Sequence, residues 1–229
     1  MSSLKELVAK KISERVKDRM ILGIGSGTTV NEAIKQIGQR IKKENLIIFA
    51  YSASSATSYL AEENGINILD PFTNKKIDFA FDGADEVDPE LNLIKGAGGA
   101  LLQEKILAEK AGSLTIIVDE SKLVKALGER CLLPIEVVPN AVLLVQKKLE
   151  NYGAFNIALR KNEKNYPFIT DNGNYLIDAN FKILNRDIGE KLKNLVGVVD
   201  TGLFFDVTNE VLVSRKDGSI ESIFPKESK

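Results

Sequence analysis

The chain has 229 residues, 44% of them hydrophobic and 28% charged, an ordinary globular composition long enough to bury a substantial core. Lys and Arg number 31 against 32 Asp and Glu, a net charge of −1, so no overall basic bias points to nucleic acid or an anionic membrane surface. Histidine is absent and cysteine occurs once, which leaves carboxylates, lysine, tyrosine or Cys131 for proton transfer near neutral pH and excludes an internal disulfide or a cysteine-ligated metal site.

The first residues, MSSLKELVAKKISERV, set Leu4, Leu7, Val8, Ile12 and Val16 at helical spacing, without the uninterrupted apolar stretch of a signal peptide. No run of about 18 apolar residues occurs, so no membrane span is expected and a cytoplasmic protein is. The apolar run Met20–Ile24 leads through GIGSGTT into a helix reaching about Arg40. A strand over 46–51, a helix from Ser54 to near Gly65, and strands over 66–69 and 77–81 come after it. After GAGG a helix runs through Ala111, and 114–118 is another strand. Short apolar strands alternating with helices predict an α/β fold, a mostly parallel, Rossmann-like sheet with helices on both faces.

The rhythm changes at Cys131, itself read as a small core hydrophobe. Leu132–Val138 is an expected strand, and Pro134 within it predicts a sheet edge. Pro139 suits the first turn of a helix reaching Tyr152. Strands over 154–159 and 168–170 come next, and the turn DNGN, 171–174, predicts a hairpin onto Tyr175–Ala179. A helix near 187–195 and a strand over 196–203 complete a β-α-β-β-α-β order resembling the split ferredoxin-like unit. We therefore expect a catalytic α/β domain of residues 1–130 and 204–229 and a small α+β domain of residues 131–203. A last hairpin, turning at Asp217-Gly218, returns to the large domain.

GIGSGTT offers backbone N–H groups at a helix start, hydroxyls on Ser26, Thr28 and Thr29, and glycines Gly25 and Gly27 that admit a phosphate. The plainer alternative is a tight turn with a hydroxyl cap. A nucleotide fingerprint fits poorly: Thr28 stands where GxGxxG needs its third glycine, and NLIIFAYSA lacks the ribose-binding acid. No P-loop motif is present. In DGADE, Asp82 and Asp85 either serve substrate hydroxyls and proton movement or merely form the turn. Glu86 and Asp88 are expected to be solvated.

LIKGAGGALLQEK puts Lys95 before a glycine-rich turn able to turn N–H groups onto an anion. Glu104 then falls on the helical face of Ala100, Leu101, Leu107 and Ala108, with Gln103, Lys105 and Glu109 toward water. Partial desolvation there raises a carboxyl pKa toward the range of a general base. An ordinary ion pair is the competing reading. In DESK, Asp119 or Ser121 caps the next helix, and Lys122 is either solvated or placed to hold a phosphate. With no nucleotide motif, no His-paired nucleophile and no His-based metal site, the set suits enolisation beside the carbonyl of a small phosphorylated sugar.

GIGSGTT, DGADEVD, KGAGGALLQEK and DESKLV, in this order and spacing, resemble the ribose-5-phosphate isomerase A family, as do the later VVPNA, TDNGN and GVVDTGLF. The resemblance implies interconversion of ribose 5-phosphate and ribulose 5-phosphate through a cis-enediol in the pentose phosphate pathway. It implies no cofactor and no metal, and a homodimer or homotetramer. It carries the proton acceptor onto Glu104, the phosphate-facing turn onto Ser26, Gly27, Thr28 and Thr29, and the aspartate loop onto Asp82, Gly83, Ala84 and Asp85. The lysine-glycine loop falls on Lys95, Gly96, Ala97 and Gly98, and a further substrate-binding lysine on Lys122. Two motifs depart from the common pattern: SGTT stands for TGST, and KGAG for KGGG, so the loop must shift if position 97 needs a positive φ. A non-catalytic sugar-phosphate sensor is the alternative, and it would have no use for a desolvated Glu104.

Overall fold

The computed structural model describes residues 3–226. They divide into two compact units. The first runs to Ala84, resumes over Gln103–Lys122 and again from Val207; the second takes Asp85–Leu102 and Leu123–Asp206.

With elements numbered along the chain, the first unit begins at α1 (Leu4–Arg15). Its start is fixed by a capping box in which Ser3 Oγ accepts the Glu6 N–H and the Glu6 carboxylate accepts the Ser3 N–H. Next in order are β1 (Ile21–Ile24), α2 (Thr28–Glu44), β2 (Phe49–Ser52), α3 (Ser55–Glu63), β3 (Asn67–Ile68) and β4 (Phe79–Asp82). Most of α4 (Leu101–Lys110), then β7 (Leu114–Asp119), β13 (Glu210–Ser214) and β14 (Ile220–Ile223), complete it. The strands form one sheet in the order β14-β13-β7-β4-β1-β2-β3, parallel except where β14 turns back on β13. This is the helix-flanked, mostly parallel sheet that the alternating pattern predicts, with the C-terminal hairpin joined to it. β13 is buried along its whole length, as an apolar strand in the interior of such a sheet should be. Val30, Ala33, Ile34 and Ile37 line one face of α2 and pack with Leu22, Ile24 and Phe81. Arg15 closes the unit by donating to both carboxylate oxygens of Glu210, at 2.5 and 2.8 Å.

The second unit contains β8 (Leu133–Val137), α5 (Val142–Glu150), β9 (Ala154–Leu159), β10 (Tyr175–Phe181), α6 (Arg186–Lys193) and β11 (Val198–Thr201). Its antiparallel sheet has the order β11-β8-β10-β9, the ferredoxin-like arrangement expected from the element order. Val145 and Leu149 of α5 and Leu192 of α6 share a core with Ile135, Val137 and Ile177. Half-buried Cys131 packs against that core. The alternate positions Pro134, Leu176 and Asp178 serve the opposite face, where residues 85–102 lie. There β5 (Glu86–Val87) and β6 (Leu93–Ile94) join β12 (Leu203–Phe204) in a small sheet. Residues 85–102 and 123–130, assigned by chain order to the larger domain, thus group with the smaller one: 93–95 pair with 202–204, and 123–130 bond to Glu86 and Val87.

Three local expectations change. β8 is an interior strand, not an edge. Pro134 is tolerated because its carbonyl accepts from Gly202 N–H, while the Gly202 carbonyl that the missing donor would serve accepts Lys95 N–H instead. Residues 168–170 make only isolated bridges, and β9 is the hairpin partner of β10. Glu86 is buried rather than solvated, accepting the N–H groups of Gly128, Arg130 and Cys131, and half-buried Asp88 folds its own turn by accepting from Glu90 and Asn92.

Candidate active site

In the first unit β1, β4 and β7 run parallel, so the loops leaving them gather at one sheet edge, where α/β proteins place ligands. Gly25 opens the first loop and has no room for a side chain, since a Cβ there would overlap the Asp82 carboxyl. Asp82, 2% exposed, uses Oδ1 to accept the N–H groups of Ser26 at 3.0 Å and Gly83 at 2.7 Å. It therefore binds two loops to each other. The Ser26 hydroxyl donates to Glu104 Oε1 at 2.6 Å. Glu104 is 4% exposed, its helix neighbours Leu101, Leu107 and Ala108 being buried as well. The sequence thus reads the environment of Glu104 correctly, and the structure joins Ser26, Asp82 and Glu104 in one hydrogen-bonded chain.

Beyond Ser26, Gly27 takes φ +104° and starts α2 without a side-chain cap. The N–H groups of the first helical turn, from Thr28 and Thr29 onward, receive no capping side chain and carry the positive end of the helix dipole. Lys5 Nζ donates to Thr28 Oγ1 at 2.7 Å, bringing a cation to this turn. Sequence reasoning missed Lys5; its only signal is a lysine in the first turn of an amphipathic helix. Ala84 ends the aspartate loop, half-buried. Lys122 closes the short 3₁₀ turn after β7 at the same sheet edge, half-buried and with no ion pair among the described residues. Asp119 receives both the N–H and the hydroxyl of Ser121, the capping role expected there.

The second unit holds Asp85, Lys95, Gly96, Ala97 and Gly98. Asp85 Oδ2 accepts the Ala97 N–H at 2.9 Å, so one carboxylate oxygen shapes the lysine-glycine loop. Lys95 is 2% exposed, its N–H bonded to the Gly202 carbonyl and its Nζ 5.6 Å from the centre of the Phe204 ring. Gly96 and Gly99 take positive φ, of +102° and +87°, and Ala97 does not. The alanine therefore occupies a position that tolerates a methyl group, and no shift of the loop is needed. Arg160 and Asp178, also unforeseen, grip this loop from beneath. Among the described residues no three or more Cys, Asp or Glu side chains gather as a metal site.

The model of the family described as ribose 5-phosphate isomerase A (phosphoriboisomerase A) matches residues 49–218. A ribose-5-phosphate isomerase A of Staphylococcus epidermidis is 42% identical over 217 residues, covering 94% of each chain. The solved ribose 5-phosphate isomerase A of Methanocaldococcus jannaschii is 38% identical with a TM-score of 0.91, over 96% of this chain and 98% of that one. A D-ribose-5-phosphate isomerase solved in complex with phospho-erythronic acid is 37% identical with a TM-score of 0.92, over 96% and 97%. Fold and sequence together make this chain an α/β isomerase. It belongs to the ribose 5-phosphate isomerase A family.

Proposed function

We propose that the chain interconverts D-ribose 5-phosphate and D-ribulose 5-phosphate, with Glu104 as the group that moves the proton. The buried Glu104 carboxylate hydrogen-bonded to Ser26, one residue from the uncapped start of α2, is the observation that carries this reading. A base and an anion-binding turn then share one loop. In the opened aldose, Glu104 takes the proton from carbon 2 while the carbonyl oxygen on carbon 1 gains charge. The carbon 2 hydroxyl proton passes to the carbon 1 oxygen, and the resulting carboxylic acid returns its proton to carbon 1, which leaves the ketose. The phosphate is assigned to the N–H groups and hydroxyls of Thr28 and Thr29, with Lys5 and Lys122 as cations. By resemblance to the family, Lys95 and the 96–98 loop steady the enediolate oxygen, and Asp82 and Asp85 hold the two loops in shape beside the substrate hydroxyls. Binding of a phosphorylated sugar acid by a relative supports a phosphosugar substrate. The same resemblance carries a homodimer or homotetramer in the cytoplasmic pentose phosphate pathway.

Incubation with ribose 5-phosphate in D₂O tests the reading, because deuterium enters at carbon 2 only if a proton leaves it. A sensor would bind and exchange nothing. Glu104→Gln should lower turnover by about 10² to 10⁴, or roughly 3 to 5 kcal/mol of barrier, and abolish exchange in parallel. Wild-type turnover in that variant would remove Glu104 from the chemistry.

A further inference from the structure

Arg160, immediately after β9, has a side chain only 16% exposed. Its Nε and Nη2 both donate to the Asp178 carboxylate on β10, the first at 2.7 Å. This two-pronged pairing fixes the plane of the guanidinium. The remaining nitrogen, Nη1, then donates to the Gly96 carbonyl at 2.9 Å and the Ala97 carbonyl at 2.8 Å. In a trans peptide the carbonyl and the following N–H point in opposite directions. Holding carbonyl 96 thus turns Ala97 N–H the other way, and it meets Asp85. Holding carbonyl 97 turns Gly98 N–H the other way, and Gly98 is exposed. Phe168 fills the space a Cβ at Gly99 would need, so the loop cannot settle lower.

We propose that Arg160, locked by Asp178, is a positioning residue for the isomerisation: it sets the orientation of the 97–98 peptide and so aims the Gly98 N–H at the enediolate oxygen. The inference rests on the reading that this loop steadies that oxygen. A donor fixed before the reaction acts on charge that develops in the transition state and little on bound substrate. Lysine cannot substitute, because an ammonium has no planar fork to hold the carboxylate and two carbonyls together.

The test measures kcat and KM for ribose 5-phosphate in Arg160→Met, Arg160→Lys and Arg160→Gly, with the folded fraction followed by thermal unfolding. In folded Arg160→Met, kcat should fall about 30- to 300-fold with KM within about threefold, and Arg160→Lys should recover little of it. Added methylguanidinium should restore part of the kcat of Arg160→Gly, and methylammonium none. A wild-type kcat in folded Arg160→Met, or a loss accounted for by the unfolded fraction, overturns the proposal. If the Arg160 variants do not fold, Asp178→Asn carries the same prediction at about 3- to 10-fold in kcat, since it weakens the lock without emptying it. Lys95→Met separates the two layers. If it keeps wild-type turnover, the loop's role in steadying the oxygen falls; if it is impaired while Arg160→Met is not, only the clamp falls.

Discussion

The two loops that carry the family's motifs keep their backbone donors in opposite states. At the start of α2, Gly27 provides no side-chain cap, and the first-turn N–H groups stand open beside Lys5. In the 95–98 loop four backbone groups are already engaged: Lys95 N–H by Gly202, carbonyls 96 and 97 by Arg160, Ala97 N–H by Asp85. The contrast matches two different tasks. A phosphate keeps its charge throughout the reaction and is served by many donors and mobile cations. An oxyanion exists only while the bond changes, and is served by few donors fixed in advance. On the proposed function, the open donors hold the ligand and the engaged ones hold the geometry.

Substitutions can break or sharpen this contrast. Within the first unit, after Glu104→Gln, the largest effect should come from Gly25→Ala, because the added carbon drives Asp82 off the Ser26 and Gly83 N–H groups and moves Ser26 away from Glu104. Turnover should drop about 10²-fold, the cost of an ångström-scale misplacement, and a crystal structure of the variant should show the displaced carboxylate. Lys5→Met and Lys122→Met come next. Each removes a cation that the proposed function assigns to the unreacting phosphate, so KM should rise about 10- to 100-fold while kcat stays within a few-fold. A fall in kcat alone would place the lysine at the reacting carbons instead.

The smallest effect separates the site from its frame. The Arg15 guanidinium holds the Glu210 carboxyl below the usual carboxylate range, chiefly by hydrogen bonding. A carboxyl whose pKa is lowered on folding adds stability that is complete above its unfolded value, here 4.5, and is lost as pH falls through the lower folded value. Glu210→Gln should cost roughly 1 to 2 kcal/mol near neutral pH, the range between exposed and buried pairs, and leave kcat and KM unchanged. Denaturant melts below that pH should show the difference from wild type shrinking; a constant difference would dismiss the linkage.

The large sheet was legible because each strand is a short apolar run closed by a glycine-bearing turn, and both properties are local. Glu104 was legible for the same reason, since helical spacing alone lists its neighbours. What escaped was decided by pairing across the chain. Pro134 suggests an edge until one sees that Gly202 N–H meets its carbonyl while the Gly202 carbonyl is taken by Lys95 N–H. Glu86 has the charge of a surface residue, and only the fold brings it three N–H groups from 128–131. Arg160 and Asp178 are separated by a hairpin, and nothing in the sequence near either names the loop they hold. The placement of residues 85–102 on the ferredoxin-like sheet, likewise, depends on a strand more than a hundred positions later.

One consequence of the strand order concerns synthesis. β13 sits between β7 and β14 and pairs with β7 from Thr115 to Asp119, yet it is made after every other strand of that sheet except β14. The ferredoxin-like unit has all its residues by Asp206, and the large sheet must wait for the final stretch to leave the ribosome. Until then β7 presents a bare apolar margin. A released chain truncated just before Glu210 should therefore be protease-sensitive around Leu114–Asp119 while residues 133–201 already resist digestion.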